Sequence, residues 1–307
     1  MAEAVSKRVT TNRIVHLALT ALFLSTAATE TGAQSVADTE WRHFGHDAAN
    51  TKYSPLDQIT PDNFNDLEIA WRWTSIETEV TSEREELRPG PFKSVSLMVD
   101  GLVYLSTSLS QVAALDAGTG ELVWSYDPRT YDRLDRPGNM GWQHRGVSYW
   151  EDDDSDDARV FIATHDLFLV ALNAKTGRQY SDFGADGAVD LSTTLGRAVD
   201  RSRFTHSQPL AIAGDTVIVG SIVQDTNLQY READPGHVRG FDTRTGEMKW
   251  IFHTIPQGDE FGADSWHNES WRYSGHSNVW GTMAVDEELD AVDVDSGLHP
   301  EHHSPLL

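Results

Sequence analysis

Apolar positions in this chain come in short groups, separated by turn residues and mostly spaced for strands. Leu67-Glu68-Ile69-Ala70-Trp71-Arg72-Trp73 alternates and predicts a strand. Residues 95–99, Asp100-Gly101 and residues 102–105 predict a hairpin closed by an Asp-Gly turn. Residues 160–164 with 167–172, and 210–212 with 216–220 around Gly214-Asp215, predict two more hairpins. Long capped helices are not expected. A helical turn is predicted within residues 56–67, where Thr60 offers a cap and Pro61 the first helical position.

One pattern occurs three times. The copies are Ala114-Leu115-Asp116-Ala117-Gly118-Thr119-Gly120 through Trp124, Ala171-Leu172-Asn173-Ala174-Lys175-Thr176-Gly177, and Gly240-Phe241-Asp242-Thr243-Arg244-Thr245-Gly246 through Trp250. Each predicts a strand ending in Asp or Asn, a tight Thr-Gly turn and a further strand carrying a large aromatic. The second copy lacks the Trp and has Tyr180 nearby. A hairpin cannot bury its apolar face alone, so such a repeat implies stacked units. Joined to the preceding hairpins, each unit reads as four antiparallel strands, which is a propeller blade. The Thr-Gly glycines lie 57 and 69 residues apart (Gly120 to Gly177, then to Gly246). Simple blades repeat at roughly 40–45 residues. The surplus therefore falls in loops between strands, such as 178–204 and the Trp-rich 255–279, where sites are usually built.

Composition narrows the function. The 307 residues are 39% hydrophobic and include ten Trp, enough for a large core. Net charge is −24, a surface that repels phosphate backbones and argues against nucleic-acid binding. The run Glu151-Asp152-Asp153-Asp154-Ser155-Asp156-Asp157 reads as a solvated loop tip, with a calcium loop as the alternative. There is no cysteine, which excludes disulfides and thiolate metal sites.

The N-terminus predicts export. Lys7, Arg8 and Arg13 precede an apolar stretch, residues 14–24, followed by small residues and by Thr31-Gly32-Ala33, which suits signal-peptidase cleavage before Gln34. An uncleaved anchor is the alternative. No other apolar run approaches the roughly 18 residues of a spanning helix. A periplasmic location follows as the expectation. The expected divisions are a signal peptide (1–33), a propeller (34–289) and a divergent tail (290–307).

Several stretches, taken in order, resemble the quinoprotein dehydrogenases that use pyrroloquinoline quinone (PQQ). They are Trp41-Arg42-His43-Phe44-Gly45-His46-Asp47 with residues 51–59, His144-Arg145-Gly146-Val147-Ser148-Tyr149-Trp150, Pro235-Gly236-His237-Val238-Arg239-Gly240-Phe241-Asp242, and Asn278-Val279-Trp280-Gly281. The resemblance implies an all-β fold: an eight-bladed β-propeller with tryptophan-docking repeats, of which about four blades fall in this chain. It also implies that the family's catalytic aspartate lies beyond Leu307, so no catalytic residue is assigned here.

PQQ is a flat ortho-quinone with three carboxylates. It needs an aromatic wall, cationic and hydroxyl groups, and a divalent cation acting as a Lewis acid at the quinone. By the resemblance, Trp280 is the stacking floor (or else a blade-docking Trp), and Arg145 grips a carboxylate or quinone oxygen (or else makes a surface salt bridge). Ser207, His206 and Lys93 stand where the family places further cofactor contacts, and Thr164 faces the same central channel as its hairpin is read; the alternative for each is an ordinary strand-surface role. Asp225 occupies the position of an acidic calcium ligand, or is a plain strand-end Asp. The family's asparagine metal ligand, eighteen positions after the stacking Trp, is Leu298 here, which has no oxygen to offer. His299, His302 and His303 form a cluster near the C-terminus, read as a solvated terminus or a transition-metal site.

The resulting expectation is PQQ- and calcium-dependent oxidation of an alcohol or a glucose-like sugar, with electrons passed to a membrane quinone or cytochrome c. No Cys-x-x-Cys-His haem motif is present. The alternatives are a non-enzymatic propeller scaffold and an inactive truncated quinoprotein.

Overall fold

The computed structural model describes residues 39–137, 141–224 and 232–294, all in the compact unit Ser35–Leu307. A seven-residue helix, α1 (Glu77–Glu83), precedes the first sheet. That sheet is β1 (Leu97–Val99), β2 (Leu102–Ser106), β3 (Val112–Asp116) and β4 (Leu122–Tyr126), in sequence order and antiparallel. The second is β5 (Ser148–Glu151), β6 (Ala158–Ala163), β7 (Phe168–Asn173) and β8 (Ala188–Asp190). Next come β9 (Phe204–Thr205), β10 (Ala211–Ala213), β11 (Thr216–Val219) and β12 (Ile222–Val223), the last pairing back onto β9. With β13 (Val238–Asp242) and β14 (Met248–Phe252), the third sheet has the order β10-β11-β13-β14. A hairpin, β15 (Ala284–Asp286) with β16 (Ala291–Asp293), follows. Three four-stranded blades and a two-stranded start of a fourth are thus present among the described residues, as a partial propeller requires.

The predicted Asp-Gly hairpin is observed. Asp100 and Gly101 both have positive φ, 50° and 74°, as a tight primed turn needs. The three Thr-Gly turns are built alike. Asp116 Oδ1 accepts from the backbone N–H of Thr119 (2.8 Å) and from its hydroxyl (3.0 Å). Asn173 does the same for Thr176, and Asp242 for Thr245. The glycine that follows sits at φ 68–74° in all three, where a side chain is strained.

These turns also join the blades. The Trp71 indole donates to Ala117 O (3.0 Å) and covers Gly120, where an added Cβ would meet the ring at 2.5 Å. Trp124 donates to Ala174 O (2.8 Å) and covers Gly177 in the same way. At Gly246 the place of an indole is taken by Phe183 and Val189, with Gly184 N–H bonded to Thr245 O (2.8 Å). Tyr180, expected to replace the missing Trp, instead bonds Asp157 and Asn173.

The core is a series of layers between sheets, as in sheet-on-sheet packing. Tyr104, Trp124, Val160 and Leu172 fill the layer between the first two blades. Phe161, Phe183, Phe204, Val217 and Phe241 fill the next. Ile218, Val238, Val279 and Val285 pack the third blade against the last hairpin. Leu105, Ala113 and Leu115 meet Trp71, Trp73 and Ile76 on the other side.

One expectation needs correction. Leu67–Trp73 is not a strand: it lies at the rim with no ladder partner, and its alternation serves to seat Trp71 and Trp73 on the first blade. α1 was not expected. It has no side-chain cap and is held from outside, by Glu77 accepting from Ser108 N (3.0 Å) and Oγ (2.7 Å). The turn within residues 56–67 is a short 3-10 element, Phe64–Asp66, with Phe64 N–H bonded to Thr60 O. The acidic run forms the β5–β6 turn, where Asp152 pairs with Arg244 and Asp157 with Arg159 (2.7 Å). Among the described residues no helix is long and apolar enough to cross a membrane.

Candidate cofactor site

Arg145 is fixed by its backbone before its side chain does anything. Its N–H bonds Ser207 O and its carbonyl accepts from Val95 N–H, both at 2.8 Å, which laces three segments together at the entry to β5. Gly146 follows with φ 146°, and a side chain there would come within 2.9 Å of Val95 O. The guanidinium then lies over the Trp280 ring, 5.8 Å from its centroid. Partial burial lowers the Arg145 pKa, yet the side chain remains a cation at any neutral pH.

Trp280 is held through its neighbour. Val279 O accepts from Ser221 N–H (2.8 Å) and from the Gln208 amide (3.3 Å), and it comes so close to Gly220 that a Cβ there would stand 2.3 Å from it. Val279 is buried, while Trp280 keeps 44% of its surface. The indole therefore presents an open face on a rigid support, beneath a guanidinium.

Beside this pair are polar atoms with no work in the fold. Ser207 and His206 are both fully buried, and neither Ser207 Oγ nor either His206 ring nitrogen has a partner. Burial, then the nearby charge of Arg239, pushes the His206 pKa far down, so the ring is neutral. An orphaned buried donor or acceptor costs about 1–3 kcal/mol. Three such atoms fall on two consecutive residues, and the Ser207 carbonyl is the one bonded to Arg145 N–H.

Two further histidines lie near them. His144 and His165 are fully buried with ring centroids 5.8 Å apart. His144 takes Ser106 Oγ (3.0 Å) and Ala163 O (3.1 Å); His165 takes Thr205 Oγ1 (3.1 Å) and Ser108 O (3.0 Å). A carbonyl only accepts, so each ring carries its proton on Nε2. Burial lowers the first to about 3 and the second to about 4. Arg239 is also fully buried, donating to Leu191 O and Thr194 Oγ1 (both 2.8 Å) and to Ser221 Oγ (3.3 Å); desolvation lowers its pKa to about 9. Neither His165 nor Arg239 was singled out from sequence. The signal for Arg239 was a charge inside the otherwise uncharged run Val238-Arg239-Gly240-Phe241.

The other expected site residues are placed as follows. The Thr164 hydroxyl is engaged in its own hairpin, donating to Asp166 Oδ1 (2.6 Å) and accepting from Phe168 N–H (3.1 Å). Lys93 is exposed and donates to Gln143 Oε1 (2.7 Å). Asp225, Leu298, His299, His302 and His303 lie outside the described residues. Among the described residues no group of three His, Asp or Glu side chains is arranged to hold a metal.

A family model described as the PQQ glucose/ethanol/alcohol dehydrogenase β-propeller domain matches residues 41–298. The chain belongs to that family. Among curated relatives, the chain is 29% identical over 286 residues to quinoprotein glucose dehydrogenase A of Acinetobacter calcoaceticus, covering 86% of this chain and 33% of the relative. It is 29% identical over 267 residues to the dehydrogenase subunit of alcohol dehydrogenase (quinone) from Acetobacter aceti, covering 82% and 32%. Its fold matches quinohemoprotein alcohol dehydrogenase from Comamonas testosteroni with a TM-score of 0.65 at 25% identity, over 85% of this chain and 36% of that one. The chain thus spans about a third of the length of the relatives it matches.

The described side chains fit the organic cofactor of this family. Trp280 offers a flat face, Arg145 a cation, and Ser207 and His206 offer polar atoms without other partners. Asp225, the one metal ligand expected from the sequence, lies outside the described residues.

Proposed function

We propose that this chain forms the cofactor floor of a PQQ-dependent dehydrogenase acting on an alcohol or an aldose sugar. The observation that carries the reading is the Arg145 guanidinium over the half-exposed Trp280 indole. When bound, PQQ supplies a two-electron acceptor for the hydride of the substrate carbinol.

The residues of the chain bind and orient. Trp280 gives a flat apolar surface backed by buried Val279, so a planar ligand loses little on being fixed there. Arg145 supplies the positive charge that a ligand with three carboxylates needs on a protein of net charge −24. The Ser207 hydroxyl, fully buried and without a partner in the fold, is assigned as a donor toward the cofactor. His206, neutral in the fold, offers one donor and one acceptor without adding charge.

The reading extends to a calcium ion held through Asp225, electron transfer to a membrane quinone or cytochrome c, and export through a signal peptide at residues 1–33. It also takes 34–289 as the propeller and 290–307 as a divergent tail. Proton removal from the substrate is assigned to a carboxylate outside this chain, since the relatives are about three times as long.

The test is direct. The purified chain is titrated with PQQ and calcium while Trp fluorescence and cofactor absorbance are followed, and dye reduction is then assayed with glucose and with ethanol. Stoichiometric uptake supports the reading. Absence of uptake at micromolar PQQ overturns it.

A further inference from the structure

Two segments, residues 233–236 and 273–278, belong to no strand, yet they lie together. Gly236 and Asn278 form a parallel bridge, Ala233 N–H bonds Tyr273 O (3.0 Å), and His276 N–H bonds Asp234 O (3.2 Å). Gly275 sits so tightly on this seam that a Cβ would meet Asp234 O at 2.2 Å. One segment continues to Trp280. The other follows shortly after Asp225 in sequence.

A single side chain from a third segment closes the seam. Arg197 Nη1 donates to Arg272 O, and its Nη2 donates to Ala233 O and to Ser274 O (2.6 Å). Three carbonyls from two segments thus converge on one guanidinium, which is partly buried. The same stretch grips again from Asp200 and Arg203. Asp200 N–H reaches Asp234 Oδ1 (3.3 Å), and Arg203 Nε lies 3.5 Å from Asp234 Oδ2. Converged carbonyl dipoles repel one another unless a cation sits between them, so removing the guanidinium leaves the seam with three unpaired acceptors.

We propose that Arg197 is a positioning residue for the cofactor floor: it fixes the loop that ends in Trp280, and with it the face beneath Arg145. The inference rests on the reading of Trp280 as the PQQ floor. Arg197 touches neither the indole nor its guanidinium partner; it acts through the backbone of residues 272–278. A lysine in its place has the charge but not the fork that reaches three carbonyls in one plane.

The experiment compares wild type, Arg197→Lys and Arg197→Ala as full chains. PQQ affinity is read from Trp quenching, and amide hydrogen exchange is read without cofactor. Misplacing a binding group by about 1 Å costs one to two powers of ten. Arg197→Ala is expected to weaken PQQ at least about tenfold, Arg197→Lys less, and millimolar guanidinium is expected to restore part of the loss. Exchange is expected to quicken in residues 233–236 and 273–280 but not in β2 or β3. Unchanged affinity and unchanged exchange overturn the inference. If wild type takes up no PQQ, the proposed function fails; the seam is then judged on exchange alone, where quickening confined to those two segments upholds the positioning role and uniform or absent change refutes it.

Discussion

The six-membered face of the Trp124 indole fills the space that a side chain on Gly177 would need, and its Nε1–H donates to Ala174 O at 2.8 Å. Donor and receiver belong to different blades, so this one contact is both a packing and a hydrogen-bonding joint between sheets. Gly177→Ala adds a methyl 2.4 Å from the ring at a φ of 68°. The expected loss is roughly 2–4 kcal/mol, from backbone strain and a displaced indole together. Denaturant unfolding measures it; a loss under about 1 kcal/mol refutes the joint.

The same residue type behaves differently at Trp250, which keeps 38% of its surface. Trp124→Ala is expected to cost about 3–5 kcal/mol, as for large core truncations. Trp250→Ala is expected to cost about 1 kcal/mol or less. Equal losses in the two variants contradict the difference in environment.

At the site, Arg145→Ala is expected to weaken PQQ uptake by about tenfold or more, because a charged hydrogen bond is worth about 1.5–3 kcal/mol. Trp280→Phe is expected to lose less than Trp280→Ala, since it keeps an aromatic face. Thermal unfolding checks that each variant is folded; quenching titrations supply the affinities.

His206 allows a sharper separation of fold from function. Neither ring nitrogen is bonded, so His206→Leu removes two orphaned polar atoms and fits a side chain of similar volume. Stability is expected to hold or rise, while PQQ affinity falls. A marked drop in melting temperature contradicts the absence of partners.

Acid should loosen the fold in two stages. His144 and His165 have folded values lowered by burial to about 3 and about 4. Between these values and the unfolded value of about 6.5, the unfolded chain binds more protons than the folded one, so stability falls as pH falls. Each imidazole contributes up to roughly 1.4 kcal/mol per pH unit in that window. The turn carboxylates Asp116 and Asp242 are held below the usual range by hydrogen bonds from Thr119 and Thr245. Their contribution is lost only below about pH 4. Stability measured from pH 7.5 to 4 tests the first stage; a flat profile contradicts it.

The blades were legible in the sequence because their signals are local. Asp116, Thr119 and Gly120 complete a turn within five residues, and the hairpins at 95–105 and 158–173 follow from apolar runs broken by turn residues. Elements that depend on distant partners were not legible. α1 is anchored by Ser108, and residues 67–73 alternate for docking rather than for pairing. Phe183 replaces the absent Trp only because a loop returns it to Gly246, which nothing near residue 183 discloses. For the site, the resemblance named Arg145 and Trp280, and the structure brings them together. The Thr164 hydroxyl bonds Asp166, two residues away in its own hairpin, a local contact the strand pattern alone does not disclose.

The three rings seated on Thr-Gly glycines run one way along the chain: Trp71, Trp124 and Phe183 are each made before Gly120, Gly177 and Gly246. During synthesis Trp124 stays without its seat until residue 177 has been added, a delay of several seconds at ~5–20 residues per second. Through most of that stretch of synthesis the nascent chain therefore carries one ring whose glycine seat has not yet been made.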